Sequence, residues 1–400
     1  MRLGFGCGSL EMDAKGCELV MPQELSPALP GEIERALSSP IGADISALDG
    51  ARTAAILASD ITRPSPSHLL VPPLASWLRA IGVSDLLVVF GLGTHRRMTV
   101  EEEMHLLGEA VSLPHCQHDP ARCLSMGHTS AGTPVEIFEE VAACDIIVGT
   151  GNIEYHYYAG YSGGAKAILP GVSSERSVNL NHAMMRDPRS RSGRLDSPVR
   201  LDMEEAAAVA GLDFILNVVL NSRKEIVSAV AGHYVKAHRC GAATVDRMYL
   251  RPVRPAEIVV TCAGGRPKDL NLFQAEKALE NARAAALPGG TIILVAECSE
   301  GLGHPVFQRW IDQANGPQDC LERFGREYQF GGHKAAYLAE QALRNELILV
   351  SGLDQKTAES CFFTPARDLA SALAEARERH GQDARVVVMP HGNLTLAKGV

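Results

Sequence analysis

The sequence predicts an α/β protein of two domains, each a mostly parallel sheet flanked by helices, with the active site in the cleft between them. Three observations carry that expectation. The chain has 400 residues, and about 100–200 residues per domain points to two. Short apolar runs alternate with amphipathic stretches, the pattern of strands joined by helical crossovers. Polar residues follow directly after four of those runs, where open α/β sheets bind their ligands. The alternation restarts near Ala256, so the expected domains are residues 1–255 and 256–389, with the tail 390–400 packing on the first.

Met1 to Pro22 reads as two short strands around Glu11–Gly16, and Ile33 to Leu48 as a helix. The first buried strand is Arg52–Ser59. Pro64 and Pro66 stop it and force a turn. A helix over His68–Ile81 leads to the strand Asp85–Phe90. Thr99 and Glu102 then form a capping box that opens another helix. Cys144–Val148 is the next strand. Phe214–Leu220 and Glu225–Ala231, joined by four polar residues, read as a hairpin. The second series has the strand Glu257–Thr261, a helix over Leu272–Ala286, and strands at Thr291–Val295, Leu347–Val350 and Arg385–Met389.

Composition narrows the partners. A hydrophobic content of 46% and a charged content of 21% describe an ordinary globular enzyme. The net charge of −9 argues against nucleic acid and anionic membrane, which would repel the average surface. No apolar run approaches the roughly 20 residues of a membrane span, and Met1–Gly6 shows no signal-peptide pattern. The ten cysteines are scattered, with no C-x-x-C pair, as buried thiols of a reducing compartment would be. The expected location is cytoplasmic.

The stretch Asn152–His182 concentrates chemistry. It sets His156, Lys166 and His182 among Gly160, Gly163, Gly164 and Gly171. Glycines let a backbone approach a ligand closely. A lysine losing solvation there becomes a nucleophile toward carbonyl or thiocarbonyl carbon, and the histidines suggest metal ligation or proton transfer. A plain phosphate loop with incidental histidines fits the spacing as well. Arg63, three residues after Asp60, suits a carboxylate clamp, or the two pair locally. His95, in Gly93-Thr94-His95-Arg96, is a candidate base or a loop-bonded ring. Gln274 and Lys277 share one face at the start of a helix, where anions are favoured, although a solvated face explains them too. Cys116, His118 and Cys123 lack a closing ligand pair, so they are not read as a metal site.

Taken together, these residues resemble a known family, the nickel-pincer lactate racemases (LarA-like proteins). The resemblance spans nearly the whole chain. Its core is H-x-x-x-G-x-S-G-G-x-K-x-x-x-P-G from His156 to Gly171. Around it, in the family's order, stand Asp60-Ile-Thr-Arg63-Pro64, Gly93-Thr-His95-Arg96, Asn179-Leu-Asn-His182 and Gln274-Ala-Glu-Lys277. The resemblance implies an isomerase that inverts C2 of a lactate-like 2-hydroxy acid. The inversion would run by hydride transfer to and from a covalently bound nickel-pincer nucleotide, pyridinium-3,5-bisthiocarboxylic acid mononucleotide nickel. It implies Lys166 as the attachment point, His182 as the nickel ligand, and His95 and His156 as acid/bases on opposite faces of the substrate. Asp60, Thr94, Gly163, Gly164 and Gln274 would support the cofactor, and Arg63, Lys277 and Phe273 the acid. Phe273 stands where lactate-specific members carry tyrosine, which removes a hydroxyl and leaves the acid's side chain open. Cofactor-synthesis proteins are the implied partners, and a homo-oligomer is compatible with the reading. The competing readings are a metal-dependent hydrolase built on the histidines and a nickel-cofactor carrier, which would use Lys166 and His182 but leave His95 and His156 idle.

Overall fold

A computed structural model describes residues 1–400 and divides them into two units, Glu24–Arg247 and a second formed by Met1–Gln23 with Met248–Val400. This corrects the expected division at both ends. Leu3 and Met12 are buried in the second unit's core. The short strand Glu18–Leu19 lies parallel to Val386–Met389. The tail strand Leu396–Gly399 pairs with Leu250–Val253, residues expected in the first domain that fall, with the tail, in the second unit. Such partners lie well over a hundred residues apart, so hydrophobic patterning could not reveal them.

The Glu24–Arg247 unit is organised by one six-stranded sheet. Its strands are β1 (Thr53–Ser59), β2 (Asp85–Gly91), β3 (His115–Gln117), β4 (Ile146–Asn152), β5 (Leu212–Leu220) and β6 (Ile226–Gly232). They lie in the order β6-β5-β4-β1-β2-β3, all parallel except β6, which closes a hairpin on β5 as expected. Helix α1 (Ser67–Ala80) sends Leu70, Leu74 and Leu78 into a core shared with Ile56, Val88, Val148 and Phe214. The chain runs from β1 out through β2 and β3, then returns to lay β4 on the other side of β1. The loops after β1 and β4 therefore part at a topological switch point, where an α/β sheet opens a crevice.

Helix α2 (Val100–Leu107) starts at the Thr99–Glu102 capping box. Further on come α3 (Glu175–Ala183), α4 (Pro198–Ala210) and α5 (Lys236–Tyr249). The expected helix over Ile33–Leu48 is broken. It runs Glu32–Ser38, ends before Pro40, and resumes only as a short turn at Ile45–Leu48. The hairpin Cys123–His128 with Pro134–Phe138 went unread, because its outer strand is half-exposed and weakly patterned.

The second unit holds a parallel sheet, with Thr364–Ala366, Glu346–Val350, Ala286–Val295, Ala256–Cys262, Val386–Met389 and Glu18–Leu19 in that order. Helix α6 (Leu272–Ala282) is shorter than expected and starts at an Asn271 cap. All ten cysteines are free thiols, and no helix is long and apolar enough to cross a membrane.

Candidate active site

The turn after β1 and the turn after β2 meet through hydrogen bonds. Asp60 is buried, and its carboxylate accepts from Nδ1 of His95 (3.0 Å) and from the Thr62 amide (2.7 Å). Burial pushes the Asp60 carboxyl up, but the bonds from His95 and Thr62 outweigh it and hold it below its ordinary value. With Nδ1 turned to Asp60, the lone pair on Nε2 of His95 is free to accept a proton. Thr94 is exposed beside it. Arg96 is taken by Glu102 of the capping box, at 2.6 Å. Arg63, in contrast, makes no ion pair with Asp60, so the guanidinium on this turn is left for another anion.

The loop after β4 folds back as a two-residue ribbon, Tyr155–His156 against Gly160–Tyr161, and then turns through Gly164–Ala167. Gly163 and Gly164 both have positive φ. A Cβ on Gly163 would come within 2.8 Å of Asn217 Oδ1, and one on Gly164 within 2.9 Å of the His238 ring. Only glycine fits either position. Asn217 on β5 accepts from the Gly164 amide (2.7 Å). The Ser162 hydroxyl donates to the Asn152 carbonyl (2.8 Å) and accepts from the Glu154 amide (2.9 Å).

Lys166 Nζ ends 3.3 Å from His156 Nε2. Burial, then the positive fields of Arg63 and Arg200, push the Lys166 amine well below its ordinary value. His156 is depressed as well, by burial first and then by Lys166, Arg63, His182 and Arg200. The Ala159 amide donates to His156 Nδ1 (3.4 Å). The neutral ring therefore carries its proton on Nε2, facing the Lys166 amine. His182, buried on α3, falls to about 3 through burial and then the Lys166 charge, opposed by the Val178 carbonyl one turn back. Tyr158 joins these groups. Its ring meets His156 edge-on at 4.4 Å and His182 at 5.0 Å, with Lys166 Nζ 5.7 Å above it.

The structure thus gathers Asp60, Arg63, Thr94, His95, His156, Gly163, Gly164, Lys166 and His182 within one unit. Phe273, Gln274 and Lys277 lie on α6 of the other unit, with Gln274 exposed and Phe273 stacked on His304 at 4.9 Å. No three His, Cys, Asp or Glu side chains converge as a metal-holding group. His95, His156 and His182 are therefore not a ligand triad of the kind a hydrolase needs. Sequence reasoning missed Tyr158, Arg200, Asn217 and His238. Tyr158 lies inside the motif and was legible in principle; the other three reach the loop only through tertiary contacts.

Comparison with known proteins follows the same lines. The family descriptions "Lactate racemase N-terminal domain" and "Lactate racemase C-terminal domain" match residues 6–193 and 252–396. A lactate racemase of Thermoanaerobacterium thermosaccharolyticum is 35% identical over 90% of this chain and 88% of its own length. One from Lactiplantibacillus plantarum is 31% identical over 92% and 90%. The solved lactate racemase apoprotein of T. thermosaccharolyticum superposes with a TM-score of 0.91 at 31% identity, covering 99% of both chains. A Thermotoga maritima protein, 18% identical with a TM-score of 0.65 over 94% of this chain and all of its own, shares the fold.

Proposed function

Since this chain belongs to the lactate racemase family and is an isomerase, we propose that it inverts C2 of a small, lactate-like 2-hydroxy acid, using a nickel-pincer pyridinium nucleotide attached at Lys166. The observation that carries this reading is the buried Lys166 amine, 3.3 Å from His156 and pushed well below its ordinary value by burial, then by Arg63 and Arg200.

The residues fit such a group. A buried amine lowered from its ordinary value gives up its proton more readily, which suits covalent attachment to a thiocarboxyl carbon. Arg63 makes no ion pair with a carboxylate and complements an anionic group of a mononucleotide. A metal held by His182 would have to draw donors from a ligand, because no group of three metal-binding side chains is present. Thiocarboxyl sulfurs are such donors. When bound, the nucleotide supplies an electrophilic pyridinium that accepts the C2 hydrogen with its electron pair, which no side chain here provides.

The chain's own residues do the rest. Arg63 holds the substrate carboxylate. Asp60, Thr94, Gly163 and Gly164 support the nucleotide. Asp60 fixes the His95 ring so that Nε2 takes or returns the hydroxyl proton on one face, and His156 does so on the other. Inversion needs a base on each side, which separates this reading from simple carriage of the nucleotide.

The test offers enantiopure 2-hydroxy acids and aldonates to cofactor-loaded protein, with and without deuterium at C2. Either enantiomer of the true substrate should give the same mixture, and the labelled acid should react more slowly yet keep its label. Rapid wash-out of deuterium would indicate proton abstraction and end the hydride reading. Failure to invert any acid would leave only the carrier role.

A further inference from the structure

The glycines of the loop permit the approach of Lys166 to His156 but cannot enforce it, since glycine has the most backbone freedom to lose. Something else must hold the loop. Arg200, on α4, is completely buried and has no carboxylate partner. Its Nε donates to the Ala159 carbonyl (3.2 Å), one Nη to the Gly163 carbonyl (3.2 Å) and the other Nη to the Tyr161 carbonyl. His238, on α5 and also buried, donates from Nε2 to the Ser162 carbonyl between them (2.8 Å). Three consecutive carbonyls, 161 to 163, are thus pinned by two basic side chains from two helices, and the carbonyl of 159 with them. Both residues lie between the segments that the family descriptions match.

A buried guanidinium with no ion pair is costly even where a nearby carboxylate, here Glu204, offsets part of the burial, and an apolar side chain of the same length would fill the space at less cost. Its burden is visible in Arg200 itself, pushed down to about 10 by burial. What an apolar residue could not do is orient peptide planes, and a planar fork with five donors is suited to that.

We propose that Arg200 is a positioning residue for the reactive loop, holding the carbonyls of Ala159, Tyr161 and Gly163 so that Lys166 and His156 stay in register. Its significance for catalysis rests on the reading of Lys166 and His156 given above; the clamp itself does not. The positive field of Arg200 acts in the same sense, adding to burial and Arg63 in lowering the Lys166 amine from its ordinary value.

The test compares wild type, Arg200→Lys and Arg200→Met as full-length, cofactor-free protein by amide hydrogen exchange, then as loaded protein by kinetics. In Arg200→Met, amides of residues 157–165 should exchange at least about 10-fold faster, the scale of losing charge-assisted hydrogen bonds. The Asp60–His95 turns should stay at wild-type rates. In the loaded protein kcat should fall by about 100-fold, the scale of a misplaced reacting group, with KM changed far less. Arg200→Lys keeps the charge but not the fork, and should fall between the two. It also decides the matter if the methionine variant does not fold. Wild-type exchange in the loop of a folded variant, or acceleration spread evenly through the unit, would overturn the proposal. A wild-type loaded protein with no adduct on Lys166 would defeat the functional reading alone, because the exchange result judges the clamp independently.

Discussion

The two candidate bases sit in opposite electrostatic settings. His95 is about one-third exposed and hydrogen-bonded to a carboxylate, Asp60. His156 has no acid beside it; its neighbours are Lys166, Arg63, His182 and Arg200, and all of them disfavour its charged form. The two rings are therefore not interchangeable. One is oriented by an anion and open to one side, and the other is held neutral by burial and by cations.

The strongest way to break the comparison is to remove the lysine that defines the His156 side. Lys166→Ala should abolish activity and eliminate the covalent adduct from the loaded protein, while the thermal melting of the cofactor-free protein stays near wild type. An adduct that persists, read by mass spectrometry of the peptide, would refute the attachment.

Removing either ring comes next. His95→Ala and His156→Ala should each lose about 10²–10⁴-fold in both directions, the range for a positioned acid–base group. The double variant should lose less than the product of the two, because one base is useless without the other. Progress curves from each enantiomer check this; a variant impaired in one direction only is ruled out at equilibrium by the single equilibrium constant.

Acid should separate the two sides more gently. The Asp60 carboxyl is depressed, so its contribution is present above the ordinary carboxylate pKa and is lost only as pH falls through its lower folded value. His156, His182 and His238 are also depressed, but as bases. Their neutral forms favour the fold fully above the ordinary histidine pKa. That advantage drains away as pH falls below about 6.5, at about 1 kcal/mol per pH unit for each ring. Between pH 6.5 and 4.5, amide exchange should quicken in residues 153–166 while the turns at 60–63 and 93–96 stay protected. Equal loosening on both sides would contradict the contrast.

The smallest effect is expected at Phe273, which belongs to neither base. Phe273→Tyr restores one hydroxyl and should re-rank the acids of the panel by up to about 10-fold, the worth of one neutral hydrogen bond. The ratio of forward to reverse rates for any one acid should not move. An unchanged ranking would mean that this ring does not meet the substrate.

Much of this site was legible beforehand. Residues after a strand end are local, so Asp60, His95 and Lys166 could be picked out from Pro64, the capping box and the run of glycines. The partner of Asp60 was not legible, since an Asp and an Arg three residues apart suggest each other more readily than a histidine 35 residues away. The supports of the loop were hidden for the same reason. Arg200 and His238 look like ordinary polar residues of surface helices until the fold buries them beneath Ala159–Gly164.

By itself, the sequence determined the α/β class, the order of the main strands, the α2 cap and the set of chemically able residues. Each of these depends on neighbours within a few positions, where periodicity and turn chemistry act. Only the tertiary structure decided that the first 23 residues complete the second unit, that His95 belongs to Asp60, and that the carbonyls of the lysine loop are held by a buried arginine. These are contacts between distant segments. Burial there changes what a side chain does: in water Arg200 would be a solvated cation, while in the interior it must donate to whatever carbonyls the fold places around it.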